Sequence, residues 1–134
     1  MKKLILFIGI LLSVSCQKEP TLSDRLIGEW QLCLSLPTME ENCNWGVLFN
    51  APYESYYYFT FERGGTGFTE LERLFSDSLD YHLWKFDWQI QSDTFLSVVF
   101  KDDNFIGDQH TPFILQNDRM EWGIFKGGAV FNKL

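Results

Sequence analysis

Trp84-Lys85-Phe86-Asp87-Trp88-Gln89-Ile90 decides the fold. Trp84, Phe86, Trp88 and Ile90 share one side of an extended chain, and Lys85, Asp87 and Gln89 share the other. A period of two with a single apolar side marks a half-buried antiparallel strand. Gln91-Ser92-Asp93 turns, and Thr94 to Phe100 returns. Upstream, Ser55 to Phe61 alternates as well, with Tyr57, Phe59 and Phe61 in one phase and Tyr56, Tyr58 and Thr60 in the other. Gly64-Gly65 supplies the positive-φ positions of a tight turn, and Thr66 to Leu71 runs back. The whole stretch Tyr56–Phe100 reads as two antiparallel hairpins. Between them, Leu71-Glu72-Arg73-Leu74-Phe75 fits helix or strand. Leu79, Tyr81 and Leu83 fit either a short edge strand or a lead into Trp84.

Outward from this centre the pattern persists. Gly28-Glu29-Trp30-Gln31-Leu32-Cys33-Leu34 alternates, with Trp30, Leu32 and Leu34 on the apolar side. Before it, Ser23 to Ile27 predicts a short helical turn with Ser23 as N-cap and Gly28 as its stop. Ser35 to Pro52 has loop composition, but Trp45, Val47, Leu48 and Phe49 predict that part of it folds back over an opening. Downstream, Pro112–Gln116, Met120–Phe125 and Ala129–Asn132 are short strands, turned at Asn117-Asp118 and Gly127-Gly128. Pro112 lacks an N–H and is expected at a strand start or edge. The count is seven or eight strands with short connections. That predicts an all-β antiparallel meander, most easily freed of its edges by closing into a barrel.

The chain has 134 residues, which suits one domain. Its start does not read as part of that domain. Lys2 and Lys3 precede the apolar run Leu4–Val14, which is shorter than the roughly 20 residues a spanning helix needs and fits a signal peptide. Leu12-Ser13-Val14-Ser15-Cys16 resembles a bacterial lipobox, and that resemblance implies that Cys16 becomes the lipid-bearing first residue. Residues 1–15 are then the signal peptide, 16–21 a lipidated tether and 22–134 the folded domain. Gln17-Lys18-Glu19 resembles the charged tether of Bacteroidota lipoproteins, some of which are surface-exposed. Loss of residues 1–15 leaves 9 basic against 18 acidic side chains, a formal charge of −9. Such a chain repels phosphate backbones, which argues against nucleic acid as a partner. With Cys16 used, Cys33 and Cys43 remain, either as a disulfide in an oxidising compartment or as two separate buried thiols.

Leu26-Ile27-Gly28-Glu29-Trp30 resembles the glycine-x-tryptophan opening of lipocalin-like domains. Phe59-Thr60-Phe61-Glu62-Arg63-Gly64-Gly65-Thr66-Gly67, and then Trp84–Ile90 with Asp93-Thr94-Phe95-Leu96, resemble the hairpins of the small lipocalin-like lipoproteins of Bacteroidota. The likeness spans most of residues 22–134. It implies an eight-stranded up-and-down barrel in which Trp30 packs across the closed end. The domain departs from a full lipocalin in being short and in lacking the long C-terminal helix. Eight strands leave an interior that side chains fill or that holds one small ligand.

Catalytic and metal motifs are weak in this sequence. It has no G-x-S-x-G, no H-E-x-x-H and no phosphate-binding glycine loop, and Asp87 belongs to the outward side of its strand. Asp102, Asp103, Asn104 and Asp108 miss the calcium-loop spacing and its final glutamate. His82 and His110 have no cysteine at ligand spacing. No catalytic residue, metal or cofactor is therefore expected. The aromatic set Trp45, Tyr53, Tyr56, Tyr57, Tyr58 and Trp84 suits either a rimmed opening or core and surface packing. A pocket, if formed, is expected to touch Trp45, Tyr57, Phe59, Phe86 and Trp88. Gly28, Gly64 and Gly65 are expected to be structural, like Trp30. Two functions stay open. One is a lipid-anchored protein of the cell envelope, at the outer membrane, that binds a small hydrophobic ligand without catalysis. The other is a structural or protein-interaction module with a filled barrel.

Overall fold

The computed structural model describes residues 18–34, 42–48, 50–102, 109–124 and 129–134. The expected leader (residues 1–15), Cys16, Asp103, Asn104, Asp108 and the expected turn at Gly127-Gly128 lie outside the described residues. Among these residues, ten elements follow in order: α1 (Leu22–Leu26), β1 (Gly28–Leu34), α2 (Trp45–Leu48), β2 (Glu54–Phe61), β3 (Thr66–Leu74), β4 (Leu79–Ser92), β5 (Phe95–Phe100), β6 (Gln109–Gln116), β7 (Arg119–Trp122) and β8 (Ala129–Lys133). Each strand pairs antiparallel with the next. β8 then pairs with β1, from Trp30↔Lys133 to Leu34↔Ala129, and closes an eight-stranded barrel. The topology is that of a lipocalin-like up-and-down barrel.

The alternation places its apolar phase inside. Trp30, Leu32, Phe59, Phe61, Phe86, Trp88, Leu96, Val98, Phe113, Met120, Trp122 and Phe131 form one buried cluster. Phe59 lies edge-on to Trp122 and to Phe131, with ring centroids 5.4 Å apart in both pairs. Phe61 does the same with Phe86 at 5.4 Å and Trp88 at 5.6 Å. Edge-to-face pairs add about 0.5–1.5 kcal/mol each beyond the area they bury. The rings fill the barrel's middle.

One end is closed. Trp30 lies across it, and its indole N–H donates to the Leu26 carbonyl of α1 at 2.7 Å. Lys133 completes this end: its ammonium sits 5.3 Å from the Trp30 ring centroid and donates to the Arg25 carbonyl at 2.8 Å. Gly28 opens β1 where a side chain would meet the Lys133 stem. Gly64 and Gly65, both with positive φ, make the β2–β3 turn beside this end.

Two expectations need correction. The N-cap of α1 is Thr21 rather than Ser23, because Thr21 and Asp24 form a reciprocal capping box. Those bonds to Thr21 also hold the Asp24 carboxyl below its usual range. The two expected hairpins form as β2–β3 and β4–β5, and β3 pairs with β4 over its whole length, from Thr66↔Asp87 to Leu74↔Leu79, which joins them into one meander. Within the excursion after β1, α2 forms at Trp45–Leu48, where the sequence departs from loop composition. Pro112 sits inside β6, opposite Phe95 on β5. Its carbonyl accepts from the Gly123 N–H, just past the end of β7. A residue's N and C=O point to the same side of a strand, so the missing N–H falls beyond the β6–β7 ladder.

Candidate functional site

Among the described residues, the end opposite α1 is uneven. β4 is 14 residues long, yet its pairing with β5 runs only from Phe86↔Phe100 to the turn. Its upper half, Leu79–Lys85, continues along β3 instead. β2, β3 and upper β4 thus rise as a three-stranded flap above the filled core.

The inner face of this flap is polar where the deep interior is apolar. Arg73 donates to Asp80 at 3.3 Å, His82 Nε2 lies 3.2 Å from the same carboxylate oxygen, and the His82 ring stacks on Trp84 at 5.5 Å. All three side chains are partly exposed, so these pairs contribute little to stability. α2 leans over this face. The Asn44 side chain accepts the N–H groups of Gly46 and Ser55, both at 3.1 Å, tying α2 to β2. Cys33 and Cys43 are joined by a disulfide, which holds the same segment to β1. Trp45 reaches inward, donates to the Leu32 carbonyl at 3.4 Å and lies 5.4 Å from Tyr57. Burial pushes the Tyr57 hydroxyl pKa up, with Arg73 acting against it.

These groups border a recess of about 210 Å3 lined by Trp45, Gly46, Ala51, Tyr53, Ser55, Tyr57, Leu71 and Arg73. Ligand pockets for small organic molecules occupy roughly 300–1,000 Å3, so the recess is small for a lipid. Of the five residues expected at a pocket, it takes Trp45 and Tyr57. Phe59 is fully buried in the aromatic fill. Phe86 is buried too, and borders a recess of about 510 Å3 on the outer wall beside Phe68, Lys85 and Lys101. Trp88 borders another, of about 350 Å3, between α1 and the β2–β3 turn, and its indole donates to the Thr66 carbonyl at 2.7 Å. The five are therefore spread over the length of the barrel. Sequence reasoning missed Arg73, Asp80 and Ser55. Their signal was polar residues standing in the apolar phase of β2, β3 and β4.

The outer face of the flap mixes apolar, aromatic and acidic side chains. Register places Glu54, Leu74 and Leu79 in one row, Tyr56, Glu72 and Tyr81 in the next, and Tyr58, Glu70 and Leu83 in a third. The Tyr81 hydroxyl donates to Glu70, and Tyr56 donates to Glu54 at 3.0 Å. Leu79, Tyr81 and Leu83 are 58%, 45% and 42% exposed.

No catalytic constellation forms among the described residues, and no three His, Cys, Asp or Glu side chains come together there to hold a metal. No family model matches the chain, and no curated protein or solved structure does either.

Proposed function

We propose that the protein is a lipid-anchored module of the cell envelope that engages another protein through the outside of a filled barrel. The aromatic fill carries this reading. Phe59, Phe61, Phe86, Trp122 and Phe131 occupy the space in which a carrier would hold its cargo. The binding surface is then external, and the flap offers apolar and aromatic side chains where an ordinary sheet exterior is polar.

The anchor rests on the sequence Leu12–Cys16, with residues 1–15 removed and 16–21 as tether. Likeness to the small lipocalin-like lipoproteins of Bacteroidota supports the same reading and an outer-membrane address. The tether enters the domain at α1, on the closed end. Six extended residues reach about 20 Å, so the closed end would face the bilayer and the flap would project away from it.

The recess beside Trp45 and Tyr57 favours a second, narrower reading, in which a small hydrophobic molecule sits at the mouth rather than in the barrel.

Photo-crosslinking in cells tests the main reading. A photoreactive side chain is placed in turn at Tyr56, Phe68, Tyr81 and Ile114 on the outer wall. Capture of one discrete polypeptide from some of these positions and not others is expected. No capture from any position, with a small molecule co-purifying instead, would contradict it. Cys16→Ser in the same cells should release the protein from the membrane fraction.

A further inference from the structure

Among the described residues, upper β4 has an unpaired edge. On β4, Trp88 donates its N–H to Gly65 on the β3 side, and the Lys85 carbonyl accepts from Lys101 on the β5 side. Successive residues of a strand point their backbone groups to opposite edges. Even-numbered residues of β4 therefore bond to β3, and the N–H and C=O groups of Leu79, Tyr81 and Leu83 point away from it. No described residue pairs with them there, because the β5 register begins at Phe86. The same three residues carry the exposed apolar side chains of the outer face. Backbone donors and acceptors in a row, flanked by alternate apolar side chains, are what an added strand requires.

The charge around the edge selects the occupant. Above Lys85 the flap bears Glu54, Glu70, Glu72, Asp77 and Asp80 against Arg73 as its one guanidinium or ammonium group. A second copy would bring the same carboxylates into opposition. Asp80 and His82, on the inner side of the edge, would also face their own counterparts. We infer that the β4 edge from Leu79 to Leu83 receives an extended, basic segment of a partner protein as an additional strand. This rests on the interaction reading above and gives it a site. The partner segment alternates, with apolar side chains beside Leu79, Tyr81 and Leu83, and Lys or Arg on the side of Asp80.

The test uses the full chain in mild detergent and two blocked peptides, one of alternating Lys and Val and one of alternating Glu and Val. Amide exchange is followed by NMR. In the protein alone, the Leu79, Tyr81 and Leu83 amides should exchange fast while those of Asp80 and His82 are protected. The Lys/Val peptide should slow the first three and bind at least about tenfold more tightly than the Glu/Val peptide. Methylating alternate backbone nitrogens of the peptide, on the edge-facing side, should abolish this binding without touching the protein. Tyr81→Pro should do the same, since proline removes one edge donor and spares the β3 ladder, while Tyr81→Phe should bind normally.

Protection of the Leu79, Tyr81 and Leu83 amides in the monomeric protein alone would mean that residues 103–108 or another part of the chain already covers the edge. That would overturn the inference, as would a dimer seen by sedimentation with the same protection. Equal binding of methylated and unmethylated peptides would overturn it as well. In cells, capture of a partner from Phe68 or Ile114 but not from Tyr81 would refute this site and leave the interaction reading standing. No capture anywhere would remove both.

Discussion

The indole N–H of Trp30 donates to the carbonyl of Leu26 at 2.7 Å, and both residues are fully buried. This bond fastens α1 across the closed end and satisfies a carbonyl in the last turn of a helix too short to stand alone. Trp30→Phe keeps a ring but orphans that carbonyl, which costs roughly 1–3 kcal/mol. Trp30→Ala adds a cavity and should lose roughly 3–5 kcal/mol. Urea unfolding midpoints of the two variants should fall in that order.

The disulfide ties the segment carrying α2 to β1, over a sequence separation of 10. Closing a loop of this size removes unfolded-state freedom worth about 2–3 kcal/mol. Cys43→Ser should lower stability by that amount relative to the oxidised protein, and by little relative to the reduced one. Thermal unfolding with and without reductant measures both. Loss of the Trp45 contact should appear as faster amide exchange in residues 44–48.

Gly67 and Gly64 are both in or beside the β2–β3 hairpin, but for different reasons. A Cβ at Gly67 would lie 2.4 Å from the Thr60 carbonyl oxygen and 2.5 Å from the Phe86 ring. Gly64 has open space around it and a φ of +95°. Gly67→Ala should therefore cost about 1–3 kcal/mol or more through overpacking and perturb the Phe86 ring. Gly64→Ala should cost about 1–2 kcal/mol through backbone strain alone. Near-UV circular dichroism separates them, with a changed aromatic signal expected for Gly67→Ala only.

The hydrogen bond to Glu70 exists only while Tyr81 keeps its proton, and it pushes the Tyr81 pKa up to about 12. A raised phenol pKa means that the linked stabilisation is complete below about pH 10 and is lost as pH rises through the folded value. Phenolate absorbance should show Tyr81 ionising late. Glu70→Gln should bring it back toward 10, and Tyr81→Phe should delete that step from the titration.

Much of the fold is legible in the residues. β1 spans Gly28–Leu34 because glycine breaks the preceding turn and Trp30 and Leu32 hold one phase. The same logic finds the lower half of β4 from Trp84, Phe86, Trp88 and Ile90. It fails in the upper half because solvent reaches both sides of the strand there. There the inner phase, Asp80 and His82, meets water at the mouth, while Leu79, Tyr81 and Leu83 point outward. Alternation still says strand, but hydrophobicity no longer says which side is core.

The site was less legible for a related reason. Phase tells whether a ring points inward, not how deep it lies. Phe59 and Tyr57 share a phase two positions apart on β2, yet one lies in the aromatic fill and the other lines the mouth recess. Depth depends on the stagger between strands and on where α2 comes to rest, and neither is written in the local pattern. Pro112 shows the same limit. Whether its missing N–H matters depends on where β7 ends.

Native mass spectrometry of the protein, purified without denaturation from the cells that make it, tests the filled barrel most directly. The account predicts the mass of the chain with its N-terminal modification, alone or with a second polypeptide. A small molecule retained at one per chain, and lost when Phe59→Ala alters the barrel's centre but not when Trp45→Ala opens the mouth, would contradict it.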